Sequence, residues 1–241
     1  MGLKITTGKK KRPVKAVVFG PEGSGKSTIG AAMPEPLLID TEDGTGYIDC
    51  SRATVTNWAD FSAATIELGR DQHGHKTIVF DTIDAAERML ADYVAEKHQK
   101  ESIESFAYGK GWLMLAESFS KFLKACDQIA DHANVVLICH STVKKFSPPD
   151  EADAYDRYEM RLSKHVLPLV KEWSDLICFL NWQDTIVTQQ DGRKKATGGK
   201  KRLLHTERCA AWDAKSRLDL PACLPVDSAE SLQPLLEQME H

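Results

Sequence analysis

Short apolar runs alternate with longer stretches of mixed polarity along most of the chain. Four runs have the length and composition of buried strands, at 14–19, 37–40, 77–81 and 135–140. Between them, apolar residues recur at the spacing of one helix face, which predicts helices at 29–33, 58–69, 85–99, 113–132, 163–173 and 228–239. Strands that alternate with helices predict an α/β fold whose central sheet is mostly parallel, with helices on both faces.

The pattern changes in the last third of the chain. Alternating residues at 176–182 and 184–189, a polar turn, and a further strand at 202–206 predict a late β-hairpin with a basic tip. Two segments, 102–112 and 141–161, lack a clear apolar pattern. Because the second is long, we expect it to be either functional or mobile.

A basic segment precedes the first predicted strand. Residues 1–13 form a basic N-terminal arm around Gly8 and Pro13, and 14–241 carry the alternating pattern of one α/β domain. A charged tail is usually solvated, an interpretation that we favour over a phosphate-binding arm. The chain has 241 residues and a net charge of -4, so any nucleic-acid contact must be local.

Cysteine usage and apolar content indicate a reduced protein outside the membrane. Six cysteines occur without a C-x-x-C pair and read as structural thiols, while Cys209 with His205 is a weaker alternative, the corner of a metal site. No apolar run has the length of a membrane span, and the amino terminus lacks the apolar centre of a secretory signal. We therefore expect a cytoplasmic protein that makes no membrane contact.

The segment 20–28 carries the strongest chemical signal. Its sequence GPEGSGKST follows the first strand and satisfies the pattern G-x-x-x-x-G-K-[ST]. In such a loop, backbone N–H groups surround a phosphate, the lysine reaches the β- and γ-phosphates, and the next hydroxyl binds Mg²⁺. A glycine turn without a ligand would need neither the lysine nor the hydroxyl. The residues predicted to bind the nucleotide are Pro21, Glu22, Gly23, Ser24, Gly25, Lys26, Ser27 and Thr28, with Ser27 also a metal ligand.

Acidic residues follow two of the other strands. Asp81 ends the strand 77–81 in the Walker B position, whose carboxylate orients the magnesium shell. An Asp at a strand end is also frequently the N-cap of the next helix, but the P-loop upstream favours the metal role. Thr82 stands where many P-loop ATPases have a glutamate, so a base for hydrolysis must come from elsewhere. Glu42, after the strand 37–40, is the candidate because it lies at the carboxyl edge of the sheet.

Together these motifs resemble the RecA recombinase core. The resemblance covers about 14–217 and rests on Gly-Pro-Glu-x-Ser-Gly-Lys-Ser at 20–27, on Ile-Asp-x-Glu at 39–42, and on a Walker B strand without an adjacent glutamate. It implies a RecA-like P-loop NTPase fold that uses ATP and Mg²⁺. It also implies that Glu42 is the catalytic base and acts beside Lys26.

His140 ends the strand 135–140 where RecA cores have a glutamine that senses the γ-phosphate. The resemblance implies a catalytic sensing role for it, and an ordinary sheet-edge histidine is the alternative. The chain start MGLKITTGKK and the segments 108–112 and 213–217 look like the small phage-encoded single-strand annealing proteins of the Sak type. This closer similarity implies a phage protein that acts in the cytoplasm of a bacterial host.

RecA cores hold single-stranded DNA with two loops, and 102–112 and 141–161 occupy their places in this chain. Basic residues can follow phosphates while aromatic faces stack on bases, and both types occur in these segments. The second segment also carries five acidic residues, so a mobile charged surface loop is the alternative. The residues predicted to bind DNA are Tyr108, Lys110, Trp112, Lys144, Lys145, Arg157 and Arg161.

The basic hairpin tip near 193–202 has three interpretations. It could bind DNA phosphates, it could present a cation to the nucleotide of a neighbouring subunit, or it could be solvated. The candidates for a cation supplied in trans are Lys200, Arg202, Lys215 and Arg217.

The resemblance implies a homo-oligomer, as a filament or a ring, that binds single-stranded DNA and meets a single-strand binding protein. Its expected activity is annealing or strand exchange in homologous recombination, with an ATPase that DNA stimulates. A helicase-like or packaging motor, a small-molecule kinase and a non-hydrolysing nucleotide switch are the alternatives.

Overall fold

One sheet organises the computed structural model, which describes residues 5–8, 10–70, 73–148, 153–188, 194–228 and 230–240, with the backbone alone at 184–188, 194–198 and 200. The strands are β1 (Lys15–Gly20), β2 (Pro36–Asp40), β3 (Ser51–Thr54), β4 (Thr77–Asp81), β5 (Asn134–Phe146), β6 (Tyr155–Met160), β7 (Leu176–Thr188), β8 (Lys194–His205), β9 (Lys215–Ser216) and β10 (Cys223–Pro225). The helices are α1 (Lys26–Ala31), α2 (Trp58–Arg70), α3 (Ile83–Lys97), α4 (Lys110–Ile129), α5 (Leu167–Trp173) and α6 (Gln233–Met239). Short 3₁₀ turns lie at Ile103–Ser105, Ala107–Gly109 and Glu230–Leu232.

The strands follow the order β10-β8-β7-β1-β5-β4-β2-β3, with β6 paired to β5 and β9 paired to β7. From β7 to β3 all pairs are parallel, whereas β8 and β10 are antiparallel additions. In register, Asp40 is opposite Asp81 and Gly20 is opposite His140. The ends of β1, β2, β4 and β5 therefore meet at one edge of the sheet, where ligands bind in such folds.

The two faces of the sheet bury separate apolar clusters. Along β1, Val17 and Phe19 face the cluster that contains α2, α3, α4 and α5. Ala16 and Val18 face the other cluster, where α1 and α6 pack. Because side chains alternate across a strand, a continuous apolar run is what a sheet covered on both faces requires. The predicted α/β fold, with its mostly parallel sheet and late hairpin, is confirmed.

The segment 141–161 differs from its prediction, because most of it is a second hairpin. Strand β5 runs on beyond the core to Phe146 and pairs in antiparallel register with β6, Ser141 opposite Met160 and Phe146 opposite Tyr155. The part of β5 beyond residue 142 is largely exposed, so its side chains need no apolar alternation. The sequence signal for a strand is therefore missing here.

Other differences concern the ends of elements. Helix α1 begins at Lys26 rather than at 29, because the polar residues of the P-loop supply its first turn. The segment 102–112 is two 3₁₀ turns followed by the start of α4, and the left-handed backbone at Tyr108 and Gly109 separates turn from helix. Strand β7 continues through an irregularity between Trp182 and Asp184.

None of the helices in the described ranges is long and apolar enough to cross a bilayer.

Candidate active site

The loop between β1 and α1 has the backbone that a phosphate cradle needs. Gly23 and Gly25 have φ angles of 71° and 95°, in the left-handed region that side chains rarely adopt. The Ser24 hydroxyl donates to the Pro21 carbonyl at 2.8 Å and closes the turn from inside. The backbone thus requires glycine at residue 25, a fixed position of the P-loop pattern, and at residue 23, one of its variable positions.

Lys26 is buried in this loop, with 5% of its surface exposed. Its Nζ donates to the carbonyl oxygens of Gly20 at 3.0 Å and Pro21 at 2.8 Å. Burial lowers the pKa of Lys26, against an opposing effect of the nearby Asp81 carboxylate. Within the described residues no carboxylate lies at ion-pair distance from Lys26, so a buried cation here has only neutral partners. An anion such as a phosphate would compensate it.

Asp81 and Ser27 lie beside this lysine. Burial raises the pKa of Asp81, and a hydrogen bond from the Ser27 side chain offsets part of that effect. Both side chains line a cavity of about 360 Å³ together with Lys26, Glu42 and His140. The structure therefore brings together all the catalytic and metal-binding candidates that the sequence identified.

The chemistry of Ser27 and Asp81 fits Mg²⁺. The ion prefers oxygen ligands, and it usually keeps several waters and uses one or two carboxylates plus the phosphates of a substrate. A hydroxyl and a single carboxylate next to an anion cradle provide that partial set. Among the described residues there is no cluster of three or more His, Cys, Asp or Glu side chains suited to a metal, so the weaker Cys209–His205 interpretation gains no support.

The Glu42 carboxylate faces the cavity and is held on both oxygens. Its Oε2 accepts from the Thr82 hydroxyl at 2.9 Å, and its Oε1 accepts from Arg88 at 3.0 Å. His140 Nδ1 lies 3.9 Å from Oε2. Thr82, at the position after Asp81 where many P-loop ATPases have a glutamate, thus contacts Glu42 in the loop that follows β2.

Asp40 shapes the loop that carries Glu42, a role that the sequence analysis missed. Its buried carboxylate accepts from the backbone N–H groups of Glu42, Gly44 and Thr45 and from the Thr45 hydroxyl, at 2.6 to 3.3 Å. Burial by itself raises the pKa of Asp40, but these hydrogen bonds outweigh it and lower the pKa below its ordinary value. An Asp that accepts from the backbone two residues on is a known turn signal, which could have been read from the sequence.

Asp84, in the first turn of α3, is the centre of a charge network that was also missed. His140 contacts it through its backbone N–H at 3.1 Å and through Nδ1 at 3.2 Å. Arg161 donates to it through Nε and Nη2 at 3.0 and 2.8 Å, and Arg88 donates at 3.2 Å. Burial raises the pKa of Asp84, yet the hydrogen bonds from His140 and Arg161 dominate and hold it well below its ordinary range. Nothing in the local sequence separates this residue from an ordinary first-turn acid.

Arg161 connects the β5–β6 hairpin to the P-loop. Besides Asp84, its guanidinium contacts Glu22 at 3.1 Å, and its backbone N–H donates to the His140 carbonyl at 2.8 Å. From its sequence, Arg161 is predicted to bind DNA. The structure places its side chain at the base of the hairpin, beside the nucleotide site.

Arg202 lies against the P-loop of its own chain. Its Nη1 donates to the Ser24 carbonyl at 3.2 Å, and its Nη2 donates to the Val226 carbonyl at 3.2 Å. A Cβ added to Gly25 would lie 2.1 Å from Nη1. The sequence does not predict this contact within one chain, because Arg202 and Ser24 are 178 residues apart and no local pattern places β8 beside the P-loop.

The other candidates for a cation supplied in trans have different surroundings. Lys215 Nζ donates to the carbonyls of Lys171 and Ser174, and Arg217 pairs with Asp175 at 2.9 Å. The Asp175 N–H donates to the carbonyl of Lys15 at the start of β1. Both cations therefore lie at the sheet edge opposite the P-loop, and the Lys200 side chain lies outside the described part.

The first group of DNA-binding candidates surrounds the start of α4. Tyr108 is fully exposed, with a relative accessibility of 99%. Lys110 is exposed on the first turn of the helix. Trp112 is half-buried and stacks on His165 with the rings 5.8 Å apart. Tyr108 is thus the aromatic face most open to solvent in this group.

The second group lies on the β5–β6 hairpin. Lys144 and Lys145 are exposed, and Lys144 lies 3.6 Å from Glu159 across the hairpin. Arg157 is 6% exposed; it pairs with Asp213 at 3.2 Å and covers the ring of Phe146. The lysines are therefore available at the surface, whereas the Arg157 guanidinium is occupied inside the fold.

The family model described as an AAA domain matches residues 12–218, a range that contains every candidate site residue. A search of curated proteins gave no match. Among solved structures, the flagellar accessory protein FlaH from Methanocaldococcus jannaschii is similar over 89% of this chain and 85% of its own, at 11% sequence identity and a TM-score of 0.46.

Proposed function

The chain belongs to the AAA-domain family and has a RecA-like P-loop NTPase fold, and on this premise we propose that it couples ATP hydrolysis to single-stranded DNA. In this proposal it promotes annealing or strand exchange as a homo-oligomer, together with a single-strand binding protein. It works on phage DNA in the cytoplasm of the host cell. The support comes from the nucleotide site and from one strand that leaves it.

The nucleotide half of the proposal rests on four converging side chains. Lys26 would hold the β- and γ-phosphates, and Ser27 and Asp81 would hold Mg²⁺, which neutralises phosphate charge when bound. Glu42 would orient and deprotonate the attacking water. Glu42 reaches the cavity from the loop after β2, whereas many P-loop ATPases carry this glutamate directly after the Walker B aspartate.

The single observation that carries the DNA half is the continuity of β5. His140 contacts Asp84 at the nucleotide site, and the same strand continues without a break to Lys144 and Lys145 on the exposed hairpin. Arg161 fixes the returning strand to Glu22 of the P-loop. A change at the terminal phosphate could therefore move the hairpin as one rigid element, which is what a nucleotide-controlled DNA contact needs.

The surface chemistry of this region supports single strands as the ligand. Tyr108 offers a free ring face, and the two hairpin lysines offer positive charge in a chain that is acidic overall. Base stacking on an aromatic ring is independent of sequence and is worth roughly 1–3 kcal/mol per base. Arg157 is left out of the proposed surface because its side chain is buried and pairs with Asp213 inside the fold.

The test is ATP turnover with and without single-stranded DNA, in the wild type and in the variants Lys26→Ala and Glu42→Gln. We expect DNA to raise the wild-type rate. Lys26→Ala should lose nucleotide binding, whereas Glu42→Gln should bind ATP normally but turn over at least about a hundredfold more slowly. Equal wild-type rates with and without DNA, together with no DNA binding at low salt, would reject the DNA half.

The hairpin lysines provide a second measurement. In Lys144→Gln/Lys145→Gln, the slope of log K against log salt for single-stranded DNA should become shallower by about 1.4, since each phosphate contact contributes about 0.7. Lys121→Gln/Lys124→Gln on α4 is the matched control and should leave the slope unchanged. Directional unwinding would favour a motor instead, and phosphate transfer to a small molecule would favour a kinase.

A further inference from the structure

Arg202 is a half-buried cation for which the described residues supply no counter-charge. Its contacts are the carbonyl oxygens of Ser24 and Val226, and no acidic partner occurs among the described residues. A guanidinium has five N–H donors in a fixed fork, and a neutral carbonyl leaves its charge uncompensated. Next to a loop shaped for phosphate, such a cation favours the binding of an anion.

The contact with Ser24 acts on a particular peptide group. The Ser24 carbonyl and the Gly25 N–H belong to the same peptide, so a charged donor on the oxygen polarises the N–H at the other end. In a P-loop the backbone N–H groups point at the phosphates. We propose that Arg202 is a positioning residue for the triphosphate of its own chain, acting through the Ser24–Gly25 peptide.

The surrounding residues hold the guanidinium over the loop. Trp182 is directly opposite Arg202 in the β7–β8 register, and its ring lies 3.9 Å from where a Cβ on Gly23 would be. The Val226 carbonyl accepts a hydrogen bond from Nη2 of Arg202, which fixes the orientation of the guanidinium. The absence of a side chain at Gly25 provides the space for the guanidinium, because a methyl group there would collide with Nη1. The two hairpin residues thus cover the outer side of the P-loop.

This inference rests on nucleotide binding as proposed above, and it assigns the cation in cis. An arginine that serves the nucleotide of a neighbouring subunit would be expected to point away from the P-loop of its own chain. The Arg202 guanidinium instead contacts the loop that its own chain would use. The role therefore requires no neighbouring subunit.

The first experiment measures ATP affinity without DNA, in Arg202→Gln, Arg202→Lys and the control Lys201→Gln. Lys201 is the exposed neighbour on the same strand, and its side chain points to the opposite face. We expect the Kd for ATP to rise about tenfold in Arg202→Gln, with the Lys variant intermediate and the control within twofold of the wild type. A purely structural role would lower the melting temperature of the nucleotide-free protein and leave the Kd of the folded fraction unchanged.

The second experiment separates cis from trans. Mixtures of Arg202→Gln and Lys26→Ala should have the mean activity of the two proteins if Arg202 serves its own chain. Activity above that mean overturns the inference, because a neighbour would then supply the arginine. An unchanged Kd in Arg202→Gln also overturns it, whereas a wild type that binds no ATP would refute the proposed function itself.

Discussion

Arg88 Nη2 donates to Glu42 Oε1 at 3.0 Å, while Arg88 Nη1 contacts Asp84 at 3.2 Å. One arginine of α3 therefore joins the proposed catalytic base to the centre of the charge network. A carboxylate oxygen that accepts from a guanidinium is less available to accept a hydrogen bond from a water molecule. Arg88 thus restrains Glu42 in the described arrangement.

We predict that Arg88→Ala raises the DNA-independent ATPase rate two- to fivefold. Arg88 is half-exposed, and the buried Asp84 keeps Arg161 and His140 as partners, so the loss should cost about 1 kcal/mol. Steady-state turnover without DNA is the measurement, and Lys97→Ala in the last turn of the same helix is the control. A fall to the Glu42→Gln level would show instead that Arg88 orients the base.

The Asp40 carboxylate supports the opposite side of Glu42, through the backbone. Asp40→Asn replaces one acceptor oxygen with an amide that must face an N–H or hydroxyl donor, so we expect the 41–45 loop to loosen. The expected result is a kcat about tenfold lower with a KM for ATP changed less than threefold. Asp43→Asn, in the same loop and exposed, is the matched control. Equal losses in Asp40→Asn and Asp43→Asn would contradict this role.

The sequence predicted the residues of the site better than their partners. Lys26, Ser27, Asp81 and Glu42 follow from motif spacing, because the carboxyl ends of parallel strands must meet at one edge. Asp84 could not be predicted in the same way. Its partners approach from β5 and from the base of a hairpin, and no local pattern encodes such distant pairings.

In the fold as well, locally encoded elements were predicted and pairings between distant segments were not. The core strands were predicted to within one or two residues at most ends, since burial on both faces imposes a continuous apolar run. The β5–β6 hairpin was missed because its solvated residues, such as Lys144 and Asp156, carry no apolar alternation. The contact of Arg202 with the P-loop depends on a pairing between strands that are far apart in sequence.

Asp84 gives a pH-dependent prediction. Its pKa in the folded protein is below the ordinary 3.8, so its ionised form stabilises the fold above about that pH, and this stability is lost as the pH falls further. We predict that Asp84→Asn lowers the free energy of unfolding by about 3 kcal/mol near neutral pH, because two arginines lose a buried partner. The deficit should shrink below pH 4.

Urea unfolding of both proteins from pH 3 to pH 8 is the measurement for Asp84. The wild type and the variant share the charged neighbours Arg88, Arg161, Glu87 and His140, so the two proteins differ in formal charge at residue 84 alone. A difference between the two proteins that stays constant from pH 3 to pH 8 would show that the carboxylate contributes through packing and not through its charge.

Tyr108 is the sharpest probe of the proposed DNA surface, because its ring is fully exposed beside the first turn of α4. A stacked base would be lost on truncation, so we predict that Tyr108→Ala raises the Kd for single-stranded DNA about tenfold, in line with roughly 1–3 kcal/mol per stack. Its φ of 56° is left-handed, so Tyr108→Asn should reproduce the binding loss without added backbone strain. Tyr93→Ala on α3 is the aromatic control. Fluorescence anisotropy is the measurement. If Tyr108→Ala and Tyr108→Asn bind single-stranded DNA as tightly as the wild type and the control do, the bases are held elsewhere.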